Sequence, residues 1–261
     1  MKRGAFSTTW RVLAAAIGIV CAMPATASIT GITVDGNLSD WGVSAPLWLD
    51  GNDWTPDSDV LAWMSEDGQI GPGVGGQAFD LEAMYLYLSG NTFYFAMVTG
   101  MGPYGAMGVL PGDIFFDVGA DGSYDLAVMS IYRGYGAPAG SVWTGTGDWY
   151  YLPTDFPASA PYAVDRHDAS WAGMTNAYAY NATAYGYAHW VVEFSVDLPA
   201  DVLAALLESG TPLSVHWTQG CGNDVGELTW AGGKTVVPEP TSFLLLGIGI
   251  AGIIVRRRFV K

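Results

Sequence analysis

Between two uniformly apolar ends, apolar and polar residues alternate with a period of two over short runs. Each run is closed by glycine, proline, asparagine or aspartate, the pattern of half-buried strands and tight turns. Ile29 to Val34 is the first such run, and Asp35-Gly36-Asn37 turns it. Leu81 to Leu88 and Thr92 to Val98 read as two strands joined at Ser89-Gly90-Asn91, a hairpin signal. Asp113 to Val118 and Tyr124 to Tyr132 read as a second hairpin about Ala120-Asp121-Gly122. Gly134 to Pro161 alternates short aromatic strands with turns, and Ala177 to Tyr187 sets Tyr178, Tyr180, Tyr185 and Tyr187 at strand spacing. Trp190 to Val196, Leu213 to Thr218 and Glu227 to Trp230 complete the strands. Only Pro199 to Glu208 reads as a helix, with Asp201 at the positive end of its dipole and Gly210 and Pro212 beyond its end. Asp50 to Asp59, Gly68 to Gly76 and Gly100 to Gly112 read as loops. The pattern predicts an all-β chain: a single antiparallel β-sandwich with one short internal helix.

The apolar ends break this rhythm. Val12 to Met23 follows the basic residues Lys2, Arg3 and Arg11 and precedes Ala25-Thr26-Ala27, a small-x-small cleavage site. Residues 1–27 therefore read as a secretory signal helix, with the mature chain starting at Ser28. Cys21 does not make a lipoprotein signal, because Val20 stands where a small residue belongs. At the other end, Phe243 to Val255 is short of the about 20 apolar residues that span a bilayer core. Arg256, Arg257 and Arg258 follow it and would stay on the cytoplasmic side; Pro238, Glu239 and Pro240 precede it. This order of parts, over 237–261, resembles the PEP-CTERM sorting signal of bacterial surface proteins. The resemblance implies a hydrophobic C-terminal helix that anchors the chain transiently in the inner membrane of a Gram-negative bacterium. It further implies cutting near Pro-Glu-Pro by exosortase, after signal peptidase has acted at the other end, and passage to the cell surface or extracellular matrix.

Residues 28–236 are then one β-sandwich domain, roughly 210 residues being enough for a single core. They carry three basic side chains, Arg133, Arg166 and Lys234, against all but one of the chain's 25 acidic residues. So acidic a surface excludes nucleic acid, whose phosphates need Lys and Arg. It suits divalent cations or neutral ligands. Abundant aromatic and aliphatic residues exclude disorder. Cys221 is the one cysteine left after maturation, so an internal disulfide is excluded.

Asp117, Asp121 and Asp125 are the candidate calcium ligands. Asp117-Val-Gly-Ala-Asp121-Gly122-Ser-Tyr-Asp125 has oxygen ligands at positions one, five and nine of a calcium-loop pattern and glycine at six. It lacks the acidic residues at positions three and twelve, and Asp-Gly turns also form without metal. Asp50, Asp53, Asp57 and Asp59 form a second acidic cluster, either a solvated loop or a calcium site. His216 and Cys221 offer zinc or thiol chemistry, but one cysteine and unspaced histidines favour a strand end followed by a tight Gly-Asn-Asp turn. All but one of the 11 tryptophans lie in the mature segment. Flat rings stack on sugars as well as filling cores. Those expected in loops are the ligand candidates: Trp54, Tyr104, Tyr135, Trp143, Trp149 and Trp171.

Ile32-Thr-Val-Asp35-Gly36-Asn-Leu-Ser-Asp40-Trp41, then Trp190-Val-Val-Glu193-Phe-Ser-Val196 and the segment through Leu213-Ser-Val-His-Trp217, resemble the opening and closing strands of family-nine carbohydrate-binding modules and their DOMON-like relatives. Trp41 reads as a core plug and Glu193 as a hydrogen-bonded structural carboxylate. No hydrolase, P-loop or dinucleotide motif is present. The reading is a non-enzymatic, exosortase-sorted surface or matrix protein that binds extracellular polysaccharide. A purely structural matrix component and a glycan-processing enzyme are the alternatives.

Overall fold

The structure is a computed structural model, and it describes residues 29, 31–43, 54–66, 75–133, 136–145, 149–150, 159–167, 169–181 and 189–233. The signal segment and the sorting tail lie outside the described residues, and so do Tyr135, Asp50 and Asp53. Of Trp149 only the backbone is described.

In chain order the strands are β1 (Ala62–Ser65), β2 (Leu81–Ser89), β3 (Thr92–Thr99), β4 (Ile114–Val118), β5 (Leu126–Val128), β6 (Ser141–Thr144), β7 (Trp149–Tyr150), β8 (Ala163–Val164), β9 (Ser170–Met174), β10 (Ala177–Asn181) and β11 (Trp190–Asp197). The helix α1 (Ala200–Glu208), β12 (Leu213–Thr218) and β13 (Val225–Trp230) follow. One sheet has the order β1-β2-β3-β11-β10 and the other β13-β12-β4-β5-β6-β9, with β7 and β8 as a small ribbon. Every pairing is antiparallel. This is the expected β-sandwich.

Alternation decides which face each side chain takes. Phe93, Phe95 and Met97 of β3 and Val192, Phe194 and Val196 of β11 enter the core between the sheets. Phe116 of β4, Val215 and Trp217 of β12 and Trp230 of β13 meet them from the other sheet. Phe95, Phe116 and Phe194 form the centre, with ring centroids 5.1–6.2 Å apart and mostly edge-on. The opposite faces are covered too. Ala83, Tyr85, Ala96, Val98 and Val191 pack under the N-terminal segment with Trp41 and Trp54. Phe115, Ala127, Met129 and Trp143 form a third cluster on the outer face of the other sheet.

Two expected strands are corrected. Within Ile29 to Val34 the described residues form no strand and join no ladder. The Ile29 N–H donates to Asp59 Oδ2 at 3.2 Å and the Thr33 N–H to Asp40 Oδ2 at 2.6 Å, so side chains take the place of a ladder. The strand expected over Tyr124 to Tyr132 shrinks to β5, because the Ser130 N–H is taken by Asp113 Oδ1 at 3.0 Å. Within the run from Ala177 to Tyr187, β10 covers the first five residues and 182–188 lie outside the described residues.

Candidate functional site

Glu193, on the outward face of β11, is fully buried, and both its carboxylate oxygens are hydrogen-bonded. Its Oε2 accepts the N–H groups of Asp35 at 2.9 Å and Gly36 at 2.8 Å; its Oε1 accepts the Trp41 indole N–H at 2.8 Å. Burial pushes its carboxyl up to about 7, against the downward pull of these three donors. Gly36 is required at the turn: its φ is +82°, and a Cβ there would lie 2.8 Å from Cβ of Asn181. Asn181 Nδ2 also donates to the Asp35 carbonyl at 2.9 Å. The Asp-Gly turn and the Asp-Trp pair that follows it therefore work as a clasp. It fastens the N-terminal segment across the first sheet, and Trp41 is the expected plug.

The six aromatic candidates separate sharply. Trp171 is 64 % exposed on β9, and Tyr104 is 91 % exposed on the loop before β4. Trp54 and Trp143 are corrected: they are 2 % and 8 % exposed and cannot present a ring face to a ligand. Tyr85 donates its hydroxyl to the Trp54 carbonyl at 2.8 Å, and the His189 ring stands 5.6 Å from the Trp54 ring. Trp143 packs among the third cluster. Sequence reasoning missed the exposed rings of Tyr132 and Trp63. It also missed β9 itself, whose residues are mostly exposed on both faces and so show no alternation.

The aspartates of the second hairpin turn their oxygens toward backbone. Asp117 accepts the N–H groups of Asp121 at 3.1 Å and Gly122 at 2.7 Å, Asp121 that of Ser123 at 2.9 Å, and Asp125 that of Val118 at 2.8 Å. Among the described residues no group of three or more His, Cys, Asp or Glu side chains is placed to hold a metal ion. Asp113 is a structural hub, its Oδ2 accepting the Val164 N–H at 3.0 Å and its Oδ1 lying 3.2 Å from Arg133. His216 is buried between Glu227 Oε1, at 2.5 Å from Nδ1, and the Pro161 carbonyl, at 3.0 Å from Nε2. Both its nitrogens are thereby engaged, and β12 ends in the expected turn, with Asp224 Oδ2 accepting the Leu81 N–H at 2.7 Å. A buried pair that sequence reasoning did not find joins His189 Nε2 to Glu82 Oε1 at 2.9 Å, with Gln77 on the same oxygen at 2.6 Å.

One cleft of about 300 Å³ enters between the sheets beside α1. Phe93, Phe116, Val142, Leu206 and Leu213 form its buried floor. Asp125, Thr144, Asn176 and Asp197 stand at its exposed mouth. Asp197 Oδ1 accepts from Thr92 Oγ1 at 2.6 Å and Asn176 Nδ2 at 2.9 Å, which holds its carboxyl below the usual range. Asp125 is raised, chiefly by burial.

Comparison with known families bears on one end of the chain. Residues 236–258 match the PEP-CTERM protein-sorting motif. The chain is thus marked for export, processing by exosortase and sorting to the cell surface. Neither curated proteins nor solved structures give a match. None of the comparisons reproduces the expected likeness of residues 28–236 to carbohydrate-binding modules. Among the described residues no helix is long and apolar enough to cross a membrane; the apolar run of the tail lies outside them.

Proposed function

We propose that the segment between the two processing ends works outside the cell as a non-catalytic surface protein that holds neutral polysaccharide on exposed aromatic rings. The observation that carries the reading is Trp171. It is a flat ring 64 % open to solvent, on a strand held to β6 by backbone pairing. A ring fixed on a strand loses little freedom when it stacks. Tyr104 offers a second open ring. The charge pattern selects the ligand class: Arg133 is committed to Asp113, and an acidic surface does not attract uronates or sulfates. The sorting motif supports the setting, the surface or matrix of a Gram-negative bacterium reached after a stay in the inner membrane.

Stacking on one ring is worth on the order of 1 kcal/mol by analogy with aromatic pairs, so retention depends on many copies at the surface. Affinity electrophoresis in gels containing neutral glucans, xylan or the host's own exopolysaccharide tests the reading. Retardation that disappears in Trp171→Ala, with circular dichroism unchanged, is the expected result. No retardation in any gel would leave a structural matrix component.

A further inference from the structure

We infer that the cleft beside α1 is a binding site for a single-chain amphiphile with a neutral, hydroxyl-bearing head. The inference is independent of the polysaccharide reading: Ala172 and Met174 of β9 line the cleft, whereas Trp171, which precedes them, does not and is paired across the strands with Trp143 of the outer-face cluster. Sandwich cores pack without voids much larger than a water molecule. This space is no such void: it opens to solvent, yet its about 300 Å³ reach the buried rings of Phe93 and Phe116, the size of a small-ligand cleft. An apolar cavity half that size takes up benzene, so the floor accommodates an apolar tail of roughly ten carbons. Val202 of α1 lines the cleft above Leu206 of its floor.

The mouth sets the head. Asp125, Thr144, Asn176 and Asp197 present acceptors and hydroxyl or amide groups, and no lysine or arginine lines the cleft. A carboxylate head would meet two carboxylates with no cation to offset them. A hydroxyl-bearing head would donate to the same groups. An unsubstituted sugar would leave the floor unfilled, and a plain alkane would leave the mouth unmatched.

Isothermal titration calorimetry of the purified full chain with decyl maltoside below its micelle concentration tests the site. Maltose and decanoate serve as the sugar-only and anionic probes. Ala172→Trp and Val202→Trp fill the cleft from two different elements, so one remains informative if the other does not fold. The expected result is saturable binding of decyl maltoside that weakens by about tenfold or more in either variant. Decanoate should bind at least about tenfold more weakly and recover in Asp125→Asn. Equal affinity in the parent chain and both filled variants would overturn the inference, because uptake would then lie elsewhere, as on the apolar tail. Absence of saturable binding would overturn it as well. Binding of decanoate as tight as that of decyl maltoside would overturn the assignment of the head.

Discussion

Replacing Glu193 by Gln tests the clasp, because the change keeps shape and removes charge. The amide has one acceptor oxygen where the carboxylate has two. If that oxygen keeps the Asp35 and Gly36 N–H groups, the amide nitrogen faces the Trp41 indole N–H, donor against donor. One buried unsatisfied donor costs about 1–3 kcal/mol. The change also removes the penalty of burying a charge, and pH separates the two effects. The carboxyl titrates near 7 when folded and near 4.5 when unfolded. Between these values the folded chain binds more protons than the unfolded chain, so stability falls as pH rises. From pH 5 to pH 8 the loss assigned to Glu193 is about 2–3 kcal/mol. Asp40, Glu66 and Asp125 are shifted in the same direction, so the quantity to read is the difference between variant and parent. Urea unfolding followed by tryptophan fluorescence should find Glu193→Gln clearly less stable than the parent at pH 5 and close to it, or more stable, at pH 8. Parallel pH profiles for the two chains would refute the buried clasp.

Trp143→Ala should cost about 3–5 kcal/mol, and Trp171→Ala less than about 0.5, in the same unfolding assay. Equal costs would contradict their assigned burial. Gly36→Ala forces an alanine into a left-handed turn against Asn181 and should cost about 1–3 kcal/mol, read as a lower melting temperature. Asp117→Ala should cost about 1–3 kcal/mol with chelator present, because two turn N–H groups lose their acceptor. A further loss appearing only with calcium, and not with magnesium, would assign that ion to the hairpin.

The sandwich was legible wherever burial and local chemistry agree. The hairpin of β2 and β3 shows its turn in Ser89-Gly90-Asn91, and β11 is apolar on both faces except at Glu193, Ser195 and the terminal Asp197. Trp41 and Glu193 were each read correctly as structural. Their partnership was not legible, because 152 residues separate them and neither pattern names the other. Trp54 shows how a polar setting misleads. Asp53, Thr55 and Asp57 surround it in sequence, yet Tyr85, from a strand 31 residues away, covers it. The reverse holds for Trp171: an edge strand exposed on both faces leaves no periodic trace. The cleft was equally hidden, since its walls come from both sheets and α1 and its emptiness has no residue of its own.

The sorting claim is tested most directly by mass spectrometry of the intact protein recovered from the cell surface, with and without exosortase. The account predicts a surface form that begins near Ser28 and lacks Arg256, Arg257 and Arg258. It also predicts that Glu239→Ala, or loss of exosortase, leaves the chain in the inner membrane with those arginines attached. A surface form that retains Arg256 to Lys261 in the presence of exosortase would contradict it.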